Sequence, residues 1–166
     1  MLRFPLILSA GALCVGATLV DVSSADAADC RALRGYYEES TLIGPQCMSP
    51  VGLCTTARLS GPFTGDARYT AAAIIASPDT PRTGVVFIVG DTTVTGARLG
   101  SRRGTLFLKN AAAVRTASEG DVTDTTVIVG GTDGFAGAAG SLRATGTIDS
   151  ATGASTSTYE GTICFP

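Results

Sequence analysis

Two patterns of apolar and polar residues divide the chain. Near the N-terminus, a run from Phe4 to Val20 follows Arg3 and contains no charged side chain. From Cys54 onward, short stretches rich in Thr, Val, Ile and Ala alternate with Gly and Pro. β-Branched residues between regularly spaced turn residues are typical of strands. The pattern therefore predicts an apolar leader followed by an all-β domain.

The β-rich part contains about eight segments that we expect to form strands. Their connections are short and contain turn signals such as Pro78-Asp79 and Thr152-Gly153. Ala111–Ser118 lies outside these segments and is compatible with a short helical turn, which would not change the fold class. Such strands predict a sandwich or an up-and-down barrel. The segments are Cys54–Ser60, Ala67–Ser77, Gly84–Val89, Thr92–Ala97, Gly104–Lys109, Val122–Val129, Ser141–Asp149 and Ser155–Cys164.

The first 27 residues have the three-part layout of a cleaved export signal. Ala25 and Ala27 occupy the −3 and −1 positions of an A-x-A motif, so we expect cleavage after Ala27. An uncleaved membrane anchor is the alternative, but the apolar run is short and interrupted by glycine. The expected organisation is a signal peptide (1–27), an irregular segment (28–53) and a barrel (54–166), located outside the cell or in the periplasm and free of the membrane after cleavage.

Four cysteines remain after cleavage, and an even number in an exported chain predicts two disulfides. A metal site would need closely paired thiolates. If the first strand pairs with the last, Cys54 opposes Cys164. That geometry favours Cys54–Cys164 together with Cys30–Cys47. The pairing Cys47–Cys54 together with Cys30–Cys164 stays open.

Charge and residue types exclude several chemistries. The 12 basic and 14 acidic residues nearly cancel, so no basic surface for a nucleic acid is indicated. The chain has no histidine, which rules out Ser-His-Asp and Cys-His catalysis and removes the commonest metal ligand. We expect neither a metal nor a cofactor.

Residues 131–140 form the most glycine-rich part of the chain, with glycine at every third position. They match neither a dinucleotide-binding fingerprint nor a phosphate-binding loop, because the first G-x-G and the Gly-Lys-Ser/Thr ending are absent. We expect a tight turn or a single helical turn whose backbone passes close to neighbouring strands. Ligand binding by this segment is the alternative.

Charged residues in the middle of predicted strands are candidates for a polar site. If the barrel closes between its first and last strands, Arg143, Glu160 and Arg58 lie on three neighbouring strands. They form either an exposed charge ladder or a polar cluster in the lumen. Because Tyr159 and Glu160 alternate, an inward Tyr159 makes a lumen site at Glu160 implausible. The lumen candidates are Arg58, Tyr69, Phe87, Phe107, Arg143, Tyr159 and Glu160.

The run from Ile128 to Leu142, with Gly146-Thr147 and Tyr159–Cys164 after it, resembles bacterial secreted proteins that have an allene oxide cyclase-like barrel. Plant dirigent proteins are similar more distantly. Asp133 departs from the usual pattern, which has a glycine there. The resemblance implies an eight-stranded antiparallel, calycin-like barrel with a central cavity. Such cavities guide an unstable epoxide or phenoxy radicals, but no catalytic residue maps onto this chain.

Three functions follow as hypotheses. The lumen binds a small apolar molecule, which needs a cavity of roughly 300 Å³ or more. Alternatively, the barrel is filled and serves a structural or interaction role at the cell exterior, or it is a cofactor-free cyclase or isomerase. We expect binding rather than catalysis. Inward alanines would leave room, whereas Phe87, Phe107, Phe135 and Tyr159 would fill it. The sequence does not predict an oligomeric state.

Overall fold

The computed structural model describes residues 29–166. The predicted signal peptide and its cleavage site therefore lie outside the described residues. Within 29–166, no helix has the length and hydropathy needed to cross a membrane. The α-helix α1 (Thr80–Thr83) is a single turn.

Eight antiparallel strands form a closed barrel in which each strand pairs with its neighbours in sequence and the last pairs with the first. This confirms the predicted all-β, up-and-down barrel. Side chains alternate between the lumen and the outer face along each strand, as the pleat requires. The strands are β1 (Asp29–Thr41), β2 (Cys54–Ser60), β3 (Phe63–Ala76), β4 (Val85–Leu99), β5 (Arg102–Arg115), β6 (Glu119–Gly131), β7 (Ala139–Asp149) and β8 (Ser155–Phe165).

The first strand corrects the predicted domain boundary. Residues 29–41 were expected to be irregular, but they form β1, which pairs with both β2 and β8. Its inward positions include Leu33, Tyr37 and Glu39, and its outward positions carry charged groups such as Arg34 and Glu38. Within the segment that was expected to be irregular, only residues 42–53 of the described chain form a loop. The barrel therefore begins at residue 29 and not at residue 54.

The fourth and fifth strands are longer than predicted. Two expected strands, Gly84–Val89 and Thr92–Ala97, are one continuous β4. Gly90 does not turn the chain: a Cβ there would lie 2.8 Å from the ring of Tyr69, so glycine makes room for that side chain. The alternative of a helical turn at Ala111–Ser118 is also wrong, because β5 continues to Arg115.

One end of the barrel is closed by phenylalanines. Phe63, Phe135 and Phe165 are fully buried, with ring centroids 6.1 Å apart for the first pair and 6.0 Å apart for Phe135 and Phe165. The guanidinium of Arg102 lies 3.8 Å from the centroid of the Phe165 ring. The contacts among the three phenylalanine rings add to the stabilisation that burial already provides. We call Phe63, Phe135 and Phe165 the phenylalanine plug.

The glycine-rich connection between β6 and β7 supplies the centre of the phenylalanine plug. It folds into a short 3₁₀ turn, Asp133–Phe135, that delivers Phe135 across the barrel end. Gly134 is needed because a Cβ would lie 2.9 Å from backbone atoms of Arg103. The expectation of a helical turn passing close to neighbouring strands is confirmed.

The two disulfides are Cys30–Cys164 and Cys47–Cys54. The favoured pairing, Cys30–Cys47 with Cys54–Cys164, was wrong. Its premise was that β2 is the neighbour of β8, whereas β1 lies between them. Cys30 is directly opposite Cys164 in the β1–β8 register. The first bond therefore fastens the seam of the barrel, and the second ties the 42–53 loop to the start of β2.

Replacing Phe135 by alanine should lower the free energy of unfolding by about 3–5 kcal/mol, because a fully buried ring would leave a cavity. Phe107→Ala is the matched control: its side chain is 40% exposed on the outer face, and we expect a loss below about 1 kcal/mol. Urea unfolding followed by tyrosine fluorescence measures both. Equal losses would contradict the assignment of Phe135 to the phenylalanine plug.

Candidate functional site

Opposite the phenylalanine plug, the barrel contains a cavity of about 170 Å³. Residues near the strand ends, such as Thr41, Leu53 and Gly153, line it at this side, which we call the mouth. The volume is smaller than the roughly 300 Å³ expected from typical ligand pockets. An engineered cavity of about 150 Å³ is nevertheless sufficient to bind benzene. The space therefore suits a molecule with about one ring.

Small inward side chains create this space. Ala57, Ala67, Ala112 and Ala144 come from four different strands, and all line the cavity. Larger side chains such as Leu108 and Leu142 complete an apolar wall. The two expectations for the lumen, open with alanines or filled with aromatic residues, thus apply to opposite ends of one barrel.

Of the seven predicted lumen candidates, the structure brings only Tyr69 and Tyr159 to the cavity. The strand alternation explains the split: Tyr159 is 4% exposed and faces inward, so Glu160 faces outward. The other candidates were wrongly placed in the lumen, because their side chains are exposed on the outer face. They are Arg58, Phe87, Phe107, Arg143 and Glu160.

The predicted charged residues lie on the outer face in an altered order. Glu160 is opposite Arg143 on β7 and Arg34 on β1 in the strand register, but it forms no ion pair with either in the described chain. Arg58 instead faces Glu38 and Asp66. The ladder was expected to include Arg58 because β1 had not been recognised. Exposed pairs of this kind contribute little to stability.

Two carboxylates that sequence reasoning missed line the cavity, Glu39 on β1 and Asp124 on β6. A signal was present for Asp124: it lies two residues from Thr126 and from Val122, which share its face. Glu39 had no usable signal once residues 28–53 were interpreted as irregular.

Asp124 is held by a network of polar side chains. The Asn110 amide donates to Asp124 Oδ2 at 2.7 Å and to Thr126 Oγ1 at 2.9 Å, and Thr126 donates to Asp124 Oδ2 at 3.1 Å. Thr92 donates to Asn110 Oδ1 at 2.8 Å. Asp124 Oδ1 has no hydrogen-bond partner among the described residues, although Asp124 is only 9% exposed. Burial raises the pKa of Asp124 in spite of these hydrogen bonds.

Glu39 lies closer to the mouth. The Thr55 hydroxyl donates to its Oε1, and the Ser155 hydroxyl donates to its Oε2 at 2.8 Å. The donors come from β2 and β8, the two strands that flank β1, so closure of the barrel fixes the position of this carboxylate. No ion pair to Glu39 is present within residues 29–166.

Three tyrosines complete the polar side of the lumen. Burial raises the pKa of Tyr37 and of Tyr159 to about 12, and it raises the pKa of Tyr69 further. The charges of Glu39 and Asp124 also raise the pKa of Tyr37 and Tyr69. The Tyr159 hydroxyl donates to the Phe63 carbonyl oxygen at 3.0 Å, whereas the Tyr69 hydroxyl has no partner in the described chain. All three tyrosines are therefore neutral near pH 7.

The cavity thus offers hydrogen-bond acceptors and neutral hydroxyls within an apolar wall, but no lysine or arginine. In the described part of the chain, no group of three or more acidic or cysteine side chains is placed to hold a metal ion. This arrangement can bind a small molecule through apolar contact and hydrogen bonds. It also contains one carboxyl group whose pKa burial has raised.

Comparison with known proteins assigns the fold. No family model matches the chain, and no curated protein matches it. Among solved structures, the pterocarpan synthase dirigent protein PsPTS1 is similar, with a TM-score of 0.51 and 18% identity over 81% of this chain and 94% of that one. The pterocarpan synthase dirigent protein GePTS1 gives 0.49 and 16% over 84% and 86%. The chain therefore has a dirigent-like β-barrel, as the sequence resemblance implied.

Asp124→Asn should change how stability depends on pH. The pKa of Asp124 is higher in the folded protein than its value of 3.8 in the unfolded chain. Protonated Asp124 therefore contributes its full stabilisation below pH 3.8, and this stabilisation is lost as the pH rises through the pKa of the folded state. Each unit of the shift corresponds to about 1.4 kcal/mol. The stability of the variant relative to wild type should therefore rise as the pH increases from 3.8 through the raised pKa of Asp124. Urea midpoints across this range test it, and parallel curves for the two proteins would refute it.

Proposed function

We propose that this protein binds a small, mostly apolar molecule of about one ring, carrying a hydrogen-bond donor, in the lumen of its barrel. The observation that carries the proposal is Asp124 Oδ1, a buried acceptor that has no partner in the described chain and belongs to a residue lining a largely apolar cavity. A buried acceptor without a partner costs roughly 1–3 kcal/mol, and a ligand donor would remove that cost. Removing apolar ligand surface from water supplies the remaining affinity.

The phenylalanine plug supports this proposal over a wholly filled barrel. A barrel needed only as a structural element gains most by packing its lumen throughout, because each void forfeits contacts. Here the rings of Phe63, Phe135 and Phe165 pack one end, while alanines line the other. A structural or interaction role remains the alternative, and it becomes the favoured one if no ligand binds.

Export is part of the same proposal. The N-terminal 27 residues have the layout of a signal peptide, and the two disulfides suit an oxidising compartment. We therefore expect the protein outside the cell or in the periplasm. Mass spectrometry of protein recovered from its producer should give a chain that begins at Ala28. A chain that retains Arg3 and the apolar run would contradict cleavage.

A cofactor-free isomerase or cyclase is the second candidate, because the buried carboxyl group of Asp124 has a raised pKa. Such a group can donate a proton to a reactive intermediate and recover it afterwards. The solved structure with a similar fold is named as a synthase, which is compatible with this role. A ligand recovered from wild type in a chemically altered form, and unaltered from Asp124→Asn, would favour the second candidate.

Two neighbouring alanines on β5 provide the test of binding. Ala112 lines the cavity, whereas Ala111 is exposed on the outer face. Ala112→Leu should weaken the binding of benzyl alcohol at least about 10-fold, since the larger side chain occupies ligand space. Ala111→Leu is the matched control and should bind as wild type does. Chemical shift changes in NMR titrations give the dissociation constants.

Two outcomes would contradict the proposal. One is that neither benzyl alcohol nor toluene perturbs residues that line the lumen. The other is that Ala111→Leu and Ala112→Leu weaken binding equally, which would locate the probe on the surface. Native mass spectrometry of protein from its producer provides an independent check, because a retained small molecule would identify the natural ligand class.

A further inference from the structure

The side chains that can carry a full charge near neutral pH in the lumen are all acidic. Glu39 and Asp124 both line the cavity, and no basic side chain does. Most buried carboxylates are paired with a cation or neutralised by a proton. Here the partners are threonine, serine and asparagine side chains, which carry no charge. The lumen therefore lacks a positive charge to balance its carboxylates.

We propose that the ligand supplies this charge: the lumen binds a protonated amine, with the ammonium group on Asp124 and the apolar part of the ligand against the alanine-lined wall. The inference rests on the proposed function and names the substrate class of the same site.

Hydrogen-bond capacity distinguishes an amine from an alcohol. A primary ammonium has three donors and no acceptor, whereas a hydroxyl has one donor. Within the described residues, Asp124 Oδ1 and the Tyr69 hydroxyl oxygen are both buried and unpartnered. Both residues line the cavity, and each of these oxygens can accept from a donor of the ligand. Glu39 also lines the cavity, and its oxygens have lone pairs beyond those that accept from Thr55 and Ser155.

The tyrosines favour the same class of ligand. Tyr37, Tyr69 and Tyr159 line the cavity, and the rings of Tyr37 and Tyr159 stack with centroids 6.5 Å apart. Aromatic faces attract ammonium groups. The lumen thus presents both carboxylates and aromatic rings to a ligand. An anionic ligand would meet both negative charges and no compensating donor with a positive charge.

Binding of an amine should also depend on pH. The titratable groups that face the cavity are Tyr37 and Glu39 on β1, Tyr69 on β3, Asp124 on β6 and Tyr159 on β8. The lining residues of β2, β4, β5 and β7 do not titrate. Affinity for an amine should therefore fall as the solution is acidified through the raised pKa of Asp124, while affinity for an alcohol should change little.

The test compares benzylamine, benzyl alcohol and benzoate, which share one ring that fits the cavity. Isothermal titration calorimetry at pH 7 should give benzylamine at least about 10-fold tighter binding than benzyl alcohol, as expected for a hydrogen bond to a charged group. Benzoate should not bind measurably. Asp124→Asn should bring the ratio of amine to alcohol affinity close to one.

Two further variants control for folding and for surface attraction. Asp121→Asn removes an exposed carboxylate from the outer face of the same strand, and it should leave the affinity ratio at its wild-type value. Glu39→Gln should lower the ratio less than Asp124→Asn does, because both Glu39 oxygens already accept hydrogen bonds. Both variants keep the size of the original side chain, so the barrel should remain folded, which circular dichroism can check.

The outcomes separate this inference from the proposed function. If benzyl alcohol binds in the lumen at least as tightly as benzylamine, the amine class is wrong and lumen binding stands. If Asp121→Asn lowers the ratio as much as Asp124→Asn, the amine binds at the surface and the inference fails. If none of the three compounds binds and Ala112→Leu changes nothing with toluene, both the inference and the proposed function fail.

Discussion

The whole structure depends on the pairing of β1 with two partners at once. β1 pairs with β8 along its length and with β2 along its second half, and this double pairing converts a seven-stranded sheet into a closed barrel. An open sheet would leave two edges of unpaired backbone groups. Closure also determines which side chains face inward, because the pleat fixes alternation once the register is set. The cavity, its carboxylates and the seam disulfide all follow from this pairing.

Packing is distributed unevenly along the barrel axis, and apolar burial is concentrated at one end. Around the phenylalanine plug, fully buried side chains such as Leu33, Leu106 and Ile163 remove apolar surface from water. Toward the mouth, alanines leave space, and threonine, asparagine and carboxylate groups replace aliphatic ones. The polar network there includes acceptors without partners, which reduces stability. Apolar burial at the plug end offsets the stability that is lost through the unpaired polar groups near the mouth.

The fold class could be predicted from sequence because β6, β7 and β8 carry a clear alternation between glycine-marked turns. The number of strands was correct for compensating reasons: β1 was missed, and β4 was divided in two. β1 was hidden because its outward charges and short polar residues resemble a loop when its pairing partners are unknown. Gly90 was mistaken for a turn because its role depends on Tyr69, a contact made across strands.

Missing β1 had further consequences for the predicted site. The favoured disulfides and the Arg58 ladder both assumed that β2 adjoins β8, so one unrecognised strand produced both errors. Glu39 could not be a candidate while its segment was considered irregular. Tyr69 and Tyr159 were proposed as lumen residues, and the structure places both at the cavity. Residues that meet across the lumen are far apart in sequence, so a pattern along the chain does not show which of them lie close together.

The phenylalanine plug has a kinetic consequence. Because the phenylalanine plug closes one end of the barrel, a ligand of the kind proposed would enter and leave by the mouth. If the proposed ligand binds, its rate of exchange would be controlled at the rim of the mouth, which Thr41, Leu53 and Gly153 form. The Cys47–Cys54 bond anchors one side of that rim. Under the proposed function, changes in loop 42–53 would alter the residence time of the ligand and leave the lining of the lumen unchanged.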